Sequence, residues 1–197
     1  MNLVDRAKRI ILTPKTEWTV IAGEEANIAQ IFKDYVLPLA MIPAIASLVG
    51  FGFIGLGFAG SLRWGIAMGL IQFASAFLGT CLCAFVADLL APNFDSKKNL
   101  GKAVQLVAYS YTPAWVAGVF LLFPALGILS TVASLYGLYL LYLGLPHMMK
   151  TPEVKVVTYL IVLIVAVIVI YVVISFILSS VILRIFGLSA LYLPRGM

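Results

Sequence analysis

Residues 99–155 read NLGKAVQLVAYSYTPAWVAGVFLLFPALGILSTVASLYGLYLLYLGLPHMMKTPEVK. Two apolar runs flank a link of only Phe123, Pro124 and Ala125, and each run carries polar groups at helical spacing. Gln105, Tyr109 and Thr112 fall at i, i+4, i+7 and share one helical face. Tyr136, Tyr139 and Tyr142 step by three and spread over a broader stripe. Polar groups face hydrocarbon only at a cost, so the stretch is expected to form a helical hairpin with a side turned toward protein.

The rest of the chain fits the same reading. Of 197 residues, 63% are hydrophobic and 11% charged, and the mean hydropathy is +1.11. A soluble domain carries roughly a quarter charged residues. Here the charges cluster between apolar runs of about 20 residues, the length a bilayer demands. The expected fold is all-α and polytopic, with five transmembrane helices at about residues 35–58, 64–90, 103–122, 125–143 and 156–183. The domain plan is a cytoplasmic amphipathic segment over 1–33, a five-helix membrane domain over 34–187 and a short outside tail over 188–197. The first apolar run starts behind more than thirty mixed residues, so no cleavable signal peptide is expected.

In the first segment, Leu3, Val4, Ala7, Ile10 and Ile11 mark one face, and Arg6, Lys8 and Arg9 the other. Thr13 and Pro14 end that helix. A second amphipathic piece with Trp18, Ile21, Ile28 and Ile31 follows. Such an interfacial helix lies either on the anionic headgroups of the cytoplasmic leaflet or on the protein, as a lid over the inner loops around Asp88; the surface anchor is the preferred expectation.

The first span carries Pro43, expected to kink it, and a far end rich in glycine (Gly50, Gly52, Gly55, Gly57, Gly60). In the second, Gly65, Gly69, Gln72, Ala76, Gly79 and Cys83 form a small-residue stripe that lets another helix approach closely, either another span or another subunit. The fifth span, rich in Val and Ile without a polar face, is expected at the periphery against lipid. The thirteen basic residues fix the orientation. With the N-terminus inside, only Arg63, Arg184 and Arg195 fall outside, so the N-terminus is expected in the cytoplasm and the C-terminus outside.

Chemistry is sparse. His147 is the sole histidine and lies in a loop in this reading. Metalloprotease, nucleophile-elbow and nucleotide-loop motifs are all missing from the sequence. Cys81 and Cys83, at i, i+2, point to different sides of a helix and suit neither a disulfide nor a shared metal. Asp88, the one acid within a span, is expected to form an ion pair or headgroup contact with Lys97, Lys98 or Lys102, or to act as a gate. Gln105, Tyr109, Ser110, Thr112, Tyr136 and Tyr139 satisfy one another in the bundle or line a polar cavity between the third and fourth spans. Neither a cofactor nor a nucleic-acid partner is expected.

The segment GKAVQLVAYSYTPAWV (101–116) resembles the Ala/Gly-Tyr-Ser element before a proline in Yip (Ypt-interacting protein) domain proteins. The flanking DLLAPNFDSKKN and YLGLPHMMKTPEVKVV segments resemble that family's loops, and the likeness extends over roughly residues 30–185. By this resemblance Tyr109, Ser110 and Pro113 match the tyrosine-containing element. Membership implies a polytopic membrane protein without catalysis, whose eukaryotic relatives act in ER–Golgi trafficking and associate with Rab GTPases and with one another. Those relatives carry an N-terminal Asp-Leu-Tyr-Gly-Pro element that residues 1–33 lack, so the chain resembles short prokaryotic members. The expected role is a self-associating scaffold of a prokaryotic inner membrane, with other membrane proteins as further partners; the alternative is a small transporter, channel or lipid-handling protein.

Overall fold

The computed structural model describes residues 2–54 and 61–188. Gly55, Gly57, Phe58 and Gly60, at the expected end of the first span, and residues 189–197 of the tail, with Arg195, lie outside the described residues. Among the described residues, five helices are long and apolar enough to cross a membrane: Ile28–Ile54, Leu62–Phe94, Leu100–Leu122, Gly127–Met148 and Glu153–Ile185, the first to fifth spans. No strand occurs among the described residues. In hydrocarbon a lone segment must satisfy its own backbone, so even the Val/Ile-rich fifth span is helical.

The second span is the centre of the bundle, packed against the first, third and fifth. Ser61 starts it, its Oγ accepting from the Trp64 N–H at 3.3 Å. The small-residue stripe is used in part within the molecule: a Cβ on Gly69 would fall 2.9 Å from the Ala44 carbonyl oxygen, and Gly65 lies directly against Leu48 and Gly52 of the first span. Gly79 is different, because a Cβ there meets nothing within 4 Å.

Two spans differ in detail from expectation. The third is not one continuous helix: it breaks at Tyr111 between Leu100–Ser110 and Thr112–Ala117, then tightens to a 3₁₀ helix over Gly118–Leu122. Pro113 lacks the N–H that would continue the ladder, which accounts for a new start there. The fourth runs to Met148 rather than ending near residue 143, so His147 sits in its last turn, with Nδ1 2.9 Å from the Leu143 carbonyl, and not in a loop. The third and fourth spans pack without a gap, since a Cβ on Gly137 would fall 2.7 Å from the Ser110 carbonyl oxygen. The fifth span exposes Val, Ile and Phe along most of its length, in keeping with a place at the periphery.

Two antiparallel helices stand before the first span, α1 (Leu3–Leu12) and α2 (Pro14–Gly23). Asn2 caps α1, its Oδ1 accepting from the Val4 N–H, and Pro14 opens α2 at the position where a missing donor costs least. This hairpin packs on protein. Ile10, Trp18 and Ile21 are completely buried in the main apolar core, so insertion of Ile10 into lipid, part of the preferred expectation, does not occur. Nor does the hairpin close over Asp88; it stands along the fourth span and the third.

Candidate functional site

The hairpin covers a polar cluster that its own charges complete. On α1, Leu3, Arg6, Ala7 and Ile10 fall on one face at i, i+3, i+4, i+7, and on α2 Pro14, Glu17, Trp18 and Ile21 repeat that spacing. Each buried stripe therefore contains one charge, of opposite sign to the other. Arg6 Nη1 donates to Glu17 Oε1 at 2.6 Å, and Arg6 Nη2 pairs with Glu24. Arg9 Nε reaches the second Glu17 oxygen at 3.3 Å. The Arg6 guanidinium also lies over the Tyr109 ring, 5.6 Å from its centroid.

Beneath this ion network the first and third spans meet through aromatic rings and hydroxyls. Tyr35 and Tyr109 pack edge to face at 4.7 Å, and Trp18 stands edge-on to Tyr109 at 6.3 Å. The Tyr35 and Thr112 hydroxyls are 2.7 Å apart, and Thr112 donates to the Tyr109 carbonyl at 2.7 Å. Lys102 Nζ binds the carbonyls of Ile21, Ala22 and Glu24 at 3.2, 3.0 and 2.6 Å, closing the C-terminal end of α2. At the other end of the hairpin, the Tyr136 hydroxyl donates to the Ile11 carbonyl at 2.7 Å.

A half-open cavity of about 180 Å³ remains between α1, the 24–35 segment and the third span. Arg6, Gln105 and Tyr109 form its inner wall, and Glu24, Glu25 and Asp34 stand at its rim. Gln105 Oε1 and Arg6 Nε are buried there without a hydrogen-bond partner. The arrangement leaves one acceptor and one donor unpaired. It contains no nucleophile paired with a base, and among the described residues no cluster of His, Cys, Asp or Glu could hold a metal ion.

Gln105, Tyr109, Ser110, Thr112 and Pro113 are all buried, and the structure gathers them around the break in the third span. Tyr136 packs against the same core and bonds the hairpin through its hydroxyl. Tyr139 does not join; it is 42% exposed on the outer side of the fourth span. The polar cavity expected between the third and fourth spans lies instead between the third span and the N-terminal hairpin. The expected pairing of Asp88 with Lys97, Lys98 or Lys102 is not formed. Asp88 is buried with Oδ1 unpartnered, Lys102 caps α2, and Lys97 and Lys98 are exposed. The loop ion pair is Lys155 with Asp95. Gln72 and Ala76 are half-buried on the second span.

Arg6, Glu17, Glu24, Trp18 and Tyr35 were not expected in the site. Arg6 in particular had been assigned to the polar face of α1. The signal was available in the sequence: a charge embedded at i+3 in each of two neighbouring apolar stripes marks a buried ion pair, because a lone buried charge is far too costly.

The Yip1 domain model matches residues 8–177. Similar curated proteins are the inner membrane protein YohC of Escherichia coli strain K12 and its counterpart in Escherichia coli O6:H1. Each is 29% identical over 146 residues, covering 70% of this chain and 75% of the relative. No solved structure matches. The family match takes in the N-terminal hairpin from Lys8, the buried Gln105–Tyr109–Thr112 face and most of the fifth span, and on that breadth the chain belongs to the Yip1 domain family.

Proposed function

We propose that this protein is a non-enzymatic scaffold of a prokaryotic cytoplasmic membrane, with its N-terminus inside and C-terminus outside, which organises the membrane in a trafficking-like manner by self-association. The orientation rests on the basic residues of the loops, and the membrane on the inner-membrane relatives. The observation that carries self-association is the outer face of the fourth span. Thr131, Leu135, Tyr139 and Tyr142 lie exposed along one face, at i, i+4, i+8, i+11. The Thr131 hydroxyl bonds its own helix, whereas the two tyrosine hydroxyls have no hydrogen-bond partner among the described residues. Phenols facing lipid favour a protein neighbour, and a two-fold contact between copies covers all four residues. Gly65 and Gly69 cannot serve this contact, because the first span already covers them.

The test is oxidative crosslinking of Leu135→Cys in native membranes, in a background with Cys81→Ser and Cys83→Ser. A crosslinked dimer is expected, and Ile168→Cys on the exposed fifth span serves as the control for random collision. Equal crosslinking at both positions, or none at Leu135→Cys, overturns the scaffold contact.

A second reading, a transporter, channel or lipid-handling protein, is favoured by the unpartnered Gln105 Oε1 and Arg6 Nε in the cavity. Its test is solute, ion and lipid flux in liposomes. Flux abolished by Gln105→Leu supports this reading.

A further inference from the structure

The α1–α2 turn lies deep beside the bundle. The Ile11 carbonyl, near the end of α1, accepts from the Tyr136 hydroxyl at 2.7 Å. Tyr136 is a dozen residues, about 18 Å of helix, from the end of the fourth span at Met148. The Lys97 N–H donates to the Met149 carbonyl at 2.7 Å, which sets the ends of the second and fourth spans level. Hydrocarbon reaches that level, because Phe85 and Leu89 of the second span and Val157 and Ile161 of the fifth are each more than half exposed. The turn therefore stands well inside a hydrocarbon layer about 30 Å thick.

The outward face of the hairpin is nevertheless polar along its length. Asp5, Lys8, Arg9 and Leu12 share one exposed side of α1, and Lys15, Thr16 and Thr19 one exposed side of α2. Val4, Leu12 and Val20 are the apolar exceptions beside them. Asp5, Lys8, Arg9, Leu12 and Thr13 bound an open groove of about 320 Å³. Lys8 precedes Ile11 by less than one turn and Lys15 opens α2, so both sit near the depth of the turn. A four-carbon stem does not carry their charges from there to the headgroups.

Hydrocarbon rejects such a face, and charges at this depth meet protein or a water-filled cavity. Beside the turn, the Tyr139 ring packs on Tyr136 at 5.6 Å, so the exposed face of the fourth span borders the hairpin. A second copy joined there brings its own hairpin with the same excess of positive charge. Dry contact between the two would strip water from Lys8 and Lys15, which make no ion pair among the described residues, at several kcal/mol for each. Water between the copies avoids that cost.

We propose that the outward face of the hairpin lines a water-filled inlet, open on the side of the 91–102 and 149–155 loops, that draws small anions as deep as the α1–α2 turn. Its far wall is a second copy seated on the fourth span, and this part rests on the self-association proposed above. Asp5 is the only acid on a face with Lys8, Arg9 and Lys15, and walls of low dielectric focus that positive field on the water. Arg9 also reaches Glu17 at 3.3 Å, which ties the inlet wall to the ion pair that seats the hairpin.

The experiment measures thiol reactivity in native membranes broken open on both sides, for single cysteines in the Cys81→Ser/Cys83→Ser background. Thr16→Cys lies on the inlet and Asn93→Cys on the exposed 91–102 loop. Val165→Cys faces lipid about 18 Å into the fifth span, and Ile10→Cys is on the covered face of the hairpin. The probes are sulfonatoethyl and trimethylammonioethyl methanethiosulfonate, one anionic and one cationic, which reach a thiol only through water. Thr16→Cys is expected to react within about tenfold of Asn93→Cys, with Val165→Cys and Ile10→Cys at least about a hundredfold slower. The ratio of anionic to cationic rate is expected to be about fivefold higher at Thr16→Cys than at Asn93→Cys, and to fall to the loop value when Lys8→Gln/Lys15→Gln is added. Both lysines are exposed and make no described side-chain bond, so that variant is expected to keep the native melting temperature.

Thr16→Cys as slow as Val165→Cys overturns the inlet. Reactive Ile10→Cys in this background also overturns it, since the hairpin then stands off the bundle and both of its faces are wet. A ratio that is the same at Thr16→Cys and Asn93→Cys, or that ignores the lysine change, overturns the attraction of anions. A wet Thr16→Cys without the Leu135→Cys crosslink overturns the second copy as the far wall, and with it the scaffold contact, while the inlet itself stands.

Discussion

Arg6 and Glu17 stand eleven residues apart in sequence and 2.6 Å apart in space, with side chains exposed by only 1% and 5%. Neither charge is tolerable there alone. The pair ties α1 to α2 while Trp18, the next residue after Glu17, fills the groove between the third and fourth spans. An electrostatic contact and an apolar one therefore hold the same hairpin on the bundle.

Removal of one partner of that pair leaves a buried charge, which typically costs about 3–5 kcal/mol. Arg6→Met is expected to release the hairpin, lowering the melting temperature in detergent and opening residues 1–27 to limited proteolysis. Arg6→Met/Glu17→Leu is expected to recover much of the loss, because an apolar pair of similar volume suits a dry site. A double variant as unstable as the single one would show that the pair itself, rather than its neutralisation, is required.

The second-span glycines separate by their surroundings. Gly69→Ala brings a Cβ to 2.9 Å from the Ala44 carbonyl oxygen and has to push the first span away, at a cost of about 1–3 kcal/mol. Gly79→Ala meets nothing within 4 Å and is expected to stay within about 0.5 kcal/mol of the parent. Thermal unfolding followed by size-exclusion fluorescence distinguishes the two. Comparable losses at both positions would assign Gly79 a neighbour outside this chain.

The five spans were legible because hydrocarbon imposes length and apolarity on every crossing segment, and these survive any detail of packing. The helical face of Gln105, Tyr109 and Thr112 was legible for the same reason, since period alone places them together. The break at Tyr111 and the extension through Pro146 were not, because a proline tells only which N–H is missing and not how the neighbouring turns adapt. The packing of the N-terminal hairpin was misread through Arg6. A basic residue in an amphipathic helix was assigned to the wet face, although its spacing with Leu3 and Ile10 already placed it on the dry one. Tyr139 was misassigned for another reason: a step of three turns it about 60° from Tyr136, enough to carry it off the covered face of the helix.

The Tyr35–Thr112 contact joins the first and third spans across 77 residues of sequence, at 2.7 Å and out of reach of water. Tyr35→Phe and Thr112→Val are each expected to cost about 1 kcal/mol, with a coupling of similar size in the double-mutant cycle. Thr112→Val also removes the bond to the Tyr109 carbonyl, so its single loss should be the larger. Additive losses would show that the two hydroxyls do not depend on one another.

Gly144 tests whether the hairpin depends on the surface beneath it. A Cβ there would lie 2.9 Å from Trp18 Cζ2, and Leu106 presses on the same point, so the space exists only because residue 144 has no side chain. Trp18 is wholly buried and cannot yield without lifting α2. Gly144→Val is expected to displace the hairpin while leaving the five spans assembled, since the contact with the third span is to the end of the flexible Leu106 side chain, which can turn aside, whereas the Trp18 ring cannot. The measurement is maleimide labelling of Ile10→Cys with both native cysteines changed to serine. The thiol is protected in the parent background and becomes reactive when Gly144→Val is added, with the helical circular dichroism of the spans retained. A thiol that stays protected would mean that Trp18 finds room without moving α2, and that the ion pair alone holds the hairpin in place.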